Sequence, residues 1–249
     1  MNIEKYFSTR ATVRNFSKKE VSDRDIKDIL AAAMHAPTTG NMQLYSVILT
    51  RDSERKKQID ACHFNQPAAV SAPVLLTFCA DTNRFVRWCE VSDAVPGFDN
   101  LQSLLSAVFD ATIIAQQFCT IAETQGLGTC YLGTTAYNAP DIARILDLPS
   151  RVVPVLTVAL GWPEKTAQPS ERLPLEAILH NETYRQYSDK DISGLYHEID
   201  TNPANKVFIE ENHKQTLAQV FADVRYPRSS NEAFSEIFKD FLTSMNFPI

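Results

Sequence analysis

The chain has 249 residues, of which 44% are hydrophobic and 22% are charged. This composition is typical of soluble globular proteins and excludes collagen-like, coiled-coil and intrinsically disordered chains. Its 24 basic and 30 acidic residues give a net charge of −6, which argues against general nucleic-acid binding, because phosphate affinity depends on clustered cations. The five cysteines form no C-x-x-C pair, and the N-terminus has no signal-peptide core. We therefore expect reduced thiols, a cytoplasmic location and no membrane partner.

Helices alternate with apolar strands in the first part of the chain. Apolar periodicity and capping residues distinguish amphipathic helices from the short apolar runs that are typical of buried strands. They predict, in order, a helix, a strand, a charged helix and a second strand: residues 21–35, 45–50, 53–62 and 73–80.

A long helix is predicted from Leu101 to Gln125, with Gly126 as its C-terminal cap. At 1.5 Å per residue it spans about 37 Å. Asp110 and Gln117 lie within it, which makes it too polar for a membrane span. Its apolar residues extend around more than one face, so we expect a second subunit to cover part of it.

The second half of the chain supplies two further strands and several helices. The predicted elements are a strand, a short helix, a strand and two amphipathic helices: residues 129–132, 140–146, 152–160, 210–223 and 231–245. Residues 192–208 fit an extension or a crossing arm. Four strands separated by helices predict an α+β fold with a mixed central β-sheet that is flanked by helices on both faces.

Several familiar motifs are incomplete. Gly126-Leu127-Gly128 resembles a dinucleotide fingerprint, but Tyr131 occupies the position of its third glycine. A P-loop spacing runs from Gly128 to Gly133, but Thr134 stands where the lysine is required. The five histidines are scattered, so we expect no metal site.

The first candidate binding segment carries Arg10, Thr12 and Arg14. Two guanidinium groups four residues apart can meet on one face of a turn, and their planar forks suit a phosphate dianion. Taken alone, a solvated basic surface is the simpler interpretation of this segment.

Three further segments are each ambiguous alone. Pro37–Gln43 is a polar loop between a helix and a strand, and Gly126–Thr134 is glycine-rich, which lets a flat ligand approach the backbone. Gly161–Pro163 ends the last strand, and the loop beyond it delivers Arg172. An ordinary turn, a helix cap and a surface loop are the simpler interpretations of the three.

Taken together, in this order and spacing, the segments resemble the nitroreductase family of FMN-dependent oxidoreductases, and most nearly its oxygen-insensitive NADPH-dependent members. The family's N-terminal and polar-loop patterns are matched by Arg10, Thr12, Arg14, Phe16, Pro37, Thr38, Asn41 and Gln43. Gln66 lies where this subgroup has a flavin-contacting glutamine, and Arg172 matches the arginine of its Arg-Leu-Pro motif.

The chain departs from the family pattern at three places. Ala11 replaces a residue that is often basic, and Leu44-Tyr45 replaces a Pro-Trp pair. Ser170 stands where a lysine is common.

The resemblance implies that FMN is the cofactor and that a specific set of residues holds it. Arg10 and Arg172 are expected at the phosphate, and Arg14 near the N1–C2=O edge of the ring. The full set of expected FMN-binding residues is Arg10, Ala11, Thr12, Arg14, Pro37, Thr38, Thr39, Asn41, Gln66, Tyr131, Leu132, Gly133, Thr134 and Arg172.

The resemblance also implies an activity and an assembly. NADPH or NADH would reduce the flavin at N5, and a small electron-poor acceptor would reoxidise it by a ping-pong scheme, with no catalytic side chain. The alternative is an FMN-binding storage or sensor protein without turnover. An obligate homodimer with the long helix at its interface is expected.

The resemblance divides the chain between two roles. Residues 1–190 would form the FMN-binding core, and residues 191–249 an extension whose two helices pack on the core or on the partner subunit. Arg225 and Arg228 are candidates for the 2′-phosphate of NADPH, although a solvated helix end is an equal explanation.

Overall fold

The computed structural model describes residues 3–247. Its packing divides the described residues into two compact units, of which the first comprises residues 3–168 and 234–247 and the second residues 169–233. The predicted division at residue 190 concerns cofactor binding rather than packing, and it stays a prediction.

The first unit contains a four-stranded sheet and most of the helices. Its elements are α1 (Ile3–Thr9), α2 (Asp23–Ala33), β1 (Tyr45–Thr50), α3 (Ser53–Cys62), α4 (Pro67–Ser71), β2 (Val74–Asp81), α5 (Asn83–Val91), α6 (Leu101–Thr124), β3 (Gly128–Leu132), α7 (Ala139–Ile145) and β4 (Val152–Gly161). The strands and the helices predicted up to residue 160 are confirmed, with bounds that shift by at most two residues.

The sheet has the strand order β1-β2-β4-β3, and each neighbouring pair is antiparallel. The α+β class is confirmed, but the prediction of a mixed sheet is wrong for the residues that the structure describes. The helix α6 does join two strands of the same direction, β2 and β3. However, β4 lies between them and pairs antiparallel with both, so no parallel pair forms.

Helices cover both faces of the sheet. Leu75 and Leu76 are adjacent in β2, so their side chains point to opposite faces, and both are fully buried. Leu76 packs in a cluster with α2 and α6, whereas Leu75 packs with α3, α4 and α7. The sheet is therefore the middle layer of the first unit.

The helix α6 is the longest and most apolar helix among residues 3–247. It has the length and composition of a membrane span, but ten of its residues are buried within the protein, as in the core helix of a soluble protein. Leu101, Leu105, Phe109 and Ile113, spaced four residues apart, remain 40–57% exposed. This exposed apolar row is the feature that the sequence predicts a second subunit to cover.

The second unit is helical. It contains α8 (Asp189–Thr201), α9 (Pro203–Glu211), and α10 (Leu217–Gln219), which continues as a π-helical turn over Val220–Arg225. The helix α11 (Arg228–Ser244) begins in it and confirms the predicted last helix. The helix predicted over 210–223 is wrong, because α9 ends at Glu211 and His213 adopts a positive φ of 53°.

Candidate functional site

Three polar side chains of α6 hold three of the four predicted binding segments. Asp110, Gln116 and Glu123 each accept a hydrogen bond from a different segment. The first and last of them are 13 residues apart, or about 20 Å along the helix. The helix α6 therefore positions three of the candidate binding segments along its length.

The polar loop Pro37–Gln43 is fixed by Asp110. The backbone N–H of Thr39 donates to Asp110 Oδ1 at 2.8 Å, and the Thr39 hydroxyl donates to the same oxygen at 3.0 Å. The N–H of Leu44 donates to Asp110 Oδ2 at 3.0 Å. Asp110 is only 1% exposed and forms no ion pair within residues 3–247, so these three donors satisfy a buried charge.

The other side of the loop is held by Arg84. Its guanidinium donates to the carbonyl oxygens of Gln43 and Tyr45. The loop has positive φ angles at Gly40, Asn41 and Gln43, a conformation that needs such support in residues other than glycine.

The loop leaves polar side chains available to a ligand. Thr38 is half-buried, and Pro37 and Asn41 are exposed. Within residues 3–247, neither the Thr38 hydroxyl nor the Asn41 amide makes a hydrogen bond, so both are free to bind a polar group.

Arg10 lies in a partly buried network with Glu123. Its Nη2 donates to Glu123 Oε1 at 2.9 Å, and its Nε donates to both carboxylate oxygens at 3.1–3.2 Å. Tyr6 donates to Glu123 at 2.6 Å, and Thr129 also donates to it. Burial, together with the hydrogen bond to Glu123, raises the pKa of the Tyr6 hydroxyl. The charge of Arg10 is therefore already balanced within the protein.

Arg14 differs from Arg10, because its side chain is exposed and forms no hydrogen bond or ion pair within residues 3–247. The backbone places it beside β3, since the N–H of Val13 donates to the Thr129 carbonyl at 3.1 Å. A Cβ at Gly128 would lie 2.6 Å from Val13, so only glycine permits this approach.

The first segment thus divides in two. Ala11 and Thr12 are half-buried between the two arginines, and the Thr12 hydroxyl accepts a hydrogen bond from Arg10 at 3.3 Å. Of the two cations, Arg14 is the one left unpaired for a ligand.

The turn that follows β3 is open on one side. The Tyr131 hydroxyl donates to Gln116 at 3.3 Å, and Leu132 is buried. A short 3-10 turn begins at Gly133, and the first N–H groups of such a turn have no partner inside it. A Cβ at Gly133 would meet nothing within 4 Å, which leaves room for a flat ligand above the backbone.

Gln66 meets this turn. Its Nε2 donates to the Thr134 hydroxyl oxygen at 3.5 Å, and His63 Nδ1 lies 2.8 Å from the same oxygen. Two residues of the predicted site that are 68 positions apart are therefore brought together.

The three candidate residues of the second unit are exposed. Arg172 donates to the carbonyl oxygens of Ser170 and Glu171 at 3.1 and 2.8 Å. The Arg225 guanidinium lies 4.9 Å from the centre of the Phe208 ring, and Arg228 pairs with Glu232 at 2.7 Å. Their roles toward phosphate groups stay predictions.

The residues of the site that sequence reasoning missed include His63, Asp110 and Glu123. Asp110 had a signal, because it interrupts an apolar helix, but its loop partners lie more than sixty residues away. His63 and Glu123 had none, since single polar residues of this kind are usually solvated.

The donors that the chain leaves free fit a flat phosphorylated cofactor such as FMN. Thr38 and Asn41 supply polar groups for a ring edge, Gly133 supplies open backbone, and Arg14 supplies an uncompensated positive charge. No cluster of metal-ligating side chains is present in the described part of the chain.

The family model for nitroreductases matches residues 8–162. The chain is 34% identical to an NAD(P)H-dependent FMN reductase of Bacillus subtilis over 182 residues, which are 72% of this chain and 73% of the relative. It is 30% identical to an oxygen-insensitive NADPH nitroreductase of Salmonella typhimurium over 179 residues, 72% of this chain and 73% of the relative.

A solved structure of a Bacteroides fragilis protein assigned to the oxidoreductases superposes with a TM-score of 0.96. It is 46% identical to this chain and covers 98% of it and 99% of its own length.

Proposed function

The chain belongs to the nitroreductase family, and from that premise we propose that it is an FMN-dependent NAD(P)H oxidoreductase that reduces small electron-poor acceptors. When bound, FMN accepts a hydride from NAD(P)H at N5 and passes reducing equivalents to the acceptor. The relatives' names support nitroaromatic compounds and free flavins as acceptor classes.

One observation carries the proposal most strongly. Two segments that match the family's flavin-binding motifs are held by side chains distant in sequence, namely Pro37–Gln43 by Asp110 and the Gly133 turn by His63 and Gln66 through the Thr134 hydroxyl. A preorganised backbone lowers the cost of ordering when a ligand binds. The held segments still keep their free polar groups.

The cations have distinct proposed roles. We assign Arg10 and Arg172 to the phosphate, where each charge-assisted hydrogen bond contributes about 1.5–3 kcal/mol. Arg14 is assigned to the ring edge, where a fixed positive charge stabilises the negative charge that reduction adds. Arg10 would keep its pairing with Glu123 and offer the one N–H of Nη1 that has no partner within residues 3–247.

We further propose a cytoplasmic homodimer that is closed through the exposed apolar row of α6. An apolar row of this length on a soluble protein marks an interface. Replacing Phe109 with Glu should convert a dimer into a monomer in light scattering, whereas Lys57→Glu on α3 should leave the mass unchanged. A wild-type monomer would reject the dimer.

The enzymatic proposal is tested by colour and reduction. The purified protein, reconstituted with FMN, should be yellow, bleach anaerobically with NADPH or NADH, and regain its colour with a nitroaromatic or quinone. Initial velocities should give parallel double-reciprocal lines. Yellow protein that does not bleach would point to a storage or sensor protein, and failure to bind FMN would overturn the proposal.

A further inference from the structure

A buried histidine stands behind the turn that carries Thr134. His63 follows the last residue of α3 and is 0% exposed. Its Nδ1 lies 2.8 Å from Thr134 Oγ1, and among residues 3–247 its Nε2 has no hydrogen-bond partner. The imidazole therefore makes a single polar contact, and that contact is to a residue of the predicted flavin-binding turn.

The position of His63 is fixed on both sides. Its N–H donates to the carbonyl oxygens of Ile59 and Asp60 at 3.2 and 3.0 Å, and its own carbonyl accepts from the Gln66 N–H at 3.2 Å. The amide of Asn138 donates to the Cys62 carbonyl at 2.6 Å. The backbone that carries the His63 ring is thus held in a hydrogen-bonded turn.

His63 is neutral at pH 7, since burial lowers its pKa to about 4. A neutral imidazole has one N–H donor and one acceptor nitrogen, and the hydrogen bonds around it decide which is which. If Nε2 carried the proton, a buried N–H would have no acceptor within residues 3–247, and orphaned N–H groups are rarer than unfilled acceptors. The environment therefore favours the tautomer with the proton on Nδ1.

That tautomer determines where the Thr134 hydroxyl can point. A hydroxyl has one proton and two acceptor lone pairs. His63 Nδ1 would fill one lone pair and Gln66 Nε2 the other. With both lone pairs occupied from the protein side, the proton of Thr134 is left to be donated outward.

We propose that His63 is a positioning residue: with Gln66, it orients the Thr134 hydroxyl as an outward hydrogen-bond donor toward the flavin. This inference depends on the proposed function, because it requires FMN at this turn. It adds a role for a residue that does not itself reach the ligand.

A double-mutant cycle on FMN affinity tests the coupling. Thr134→Val removes the hydroxyl and should weaken FMN binding about tenfold, the value of one hydrogen bond. His63→Leu should weaken it by a similar factor and shift the visible flavin absorption band. The double variant should be no weaker than Thr134→Val alone, because both changes remove the same interaction.

Two matched controls separate positioning from packing. His63→Asn places an amide N–H near the position of Nδ1, so its FMN affinity should stay within about threefold of wild type. Thr134→Ser keeps the hydroxyl and should behave in the same way. Circular dichroism confirms that each variant is folded, and His63→Met replaces His63→Leu if the latter is not.

The tautomer itself is measured by ¹⁵N NMR of histidine-labelled wild-type protein, with and without FMN. A proton on Nδ1 supports the inference. A proton on Nε2, or additive losses in the double-mutant cycle, would overturn it while leaving FMN binding and bleaching intact. A wild-type protein that binds no FMN would instead overturn the proposed function.

Discussion

The two units hold their candidate binding residues in opposite ways. In the first unit, segments are fixed by groups far away in sequence, such as the buried Asp110 for the polar loop and the partly buried Glu123 for Arg10. In the second unit, Arg172, Arg225 and Arg228 are exposed, and two of them contact groups within four residues along the chain. The candidate binding residues of the first unit are therefore preorganised, whereas the exposed arginine side chains of the second unit must become ordered when a ligand binds.

This difference predicts which substitutions affect folding and binding together. Removing a buried group of the first unit should lower stability and distort the site, because the segment loses its support. Removing an exposed arginine of the second unit should weaken ligand binding and leave stability nearly unchanged, since exposed ion pairs contribute about 0–1 kcal/mol.

Asp110→Ala should give the largest effect. It leaves the N–H groups of Thr39 and Leu44 without acceptors, the second of them buried. Loss of a buried charged acceptor should lower the free energy of unfolding by about 3–5 kcal/mol and FMN affinity by more than about tenfold. Urea unfolding and FMN titration measure the two effects.

The control for that variant is Asp141→Ala, which removes an exposed partner of Arg144 and should change stability by less than about 1 kcal/mol. Equal losses in the two variants would contradict a special role for Asp110 and weaken the contrast between the units.

The pH dependence of stability should show the next largest effect. Burial lowers the pKa of folded His63 from 6.5 to about 4, so between these values the unfolded chain binds a proton that the folded chain does not. The free energy of unfolding should therefore be highest, with respect to His63, above pH 6.5. It should decrease by about 3 kcal/mol as the pH falls to 4.

His63→Asn removes this titration and should flatten the stability curve over that range. Unfolding by urea at several pH values measures it. A wild-type curve with the same slope as the variant would show that His63 titrates normally and is not held neutral by the fold.

Features of the fold that depend on local sequence were predictable, whereas those that depend on distant contacts were not. The strands and α6 were predictable because each is a continuous apolar run or a helical repeat. The antiparallel arrangement was not predictable, because β4 lies between β2 and β3 in the sheet although it follows both of them in the sequence. Local pattern carries no record of such insertions.

The candidate site shows the same limit. The polar loop was predictable from its family-like residues, but the Asp110 carboxylate that holds it lies 71 positions from Thr39. The resemblance implied that Gln66 and Thr134 bind the same ligand but predicted no contact between them. His63, which contacts the same Thr134 hydroxyl, carried no sequence signal. Groups that support a site from behind are chosen by three-dimensional packing.

Substitutions in the second unit should change ligand affinity rather than stability. Arg172→Ala should weaken FMN binding by about 2 kcal/mol, or about thirtyfold, if its guanidinium binds the phosphate. The stability of this variant should change by less than about 1 kcal/mol, since within residues 3–247 the Arg172 side chain hydrogen-bonds only to the carbonyl groups of Ser170 and Glu171. Arg185→Ala, another exposed arginine of this unit, is the control. Riboflavin, which lacks the phosphate, should bind the wild type and Arg172→Ala equally.

The smallest effect is expected from Arg225 and Arg228. Both guanidinium groups already make weak contacts, Arg225 with the ring of Phe208 and Arg228 with Glu232, so a 2′-phosphate must compete with these contacts. The double variant Arg225→Ala, Arg228→Ala should lower kcat/KM for NADPH about fivefold, or about 1 kcal/mol, with no change for NADH. An unchanged NADPH-to-NADH ratio would remove both residues from cofactor selection. It would also leave the second unit with Arg172 alone as a ligand-ordered charge, and the contrast with the buried supports of the first unit would then depend on that single residue.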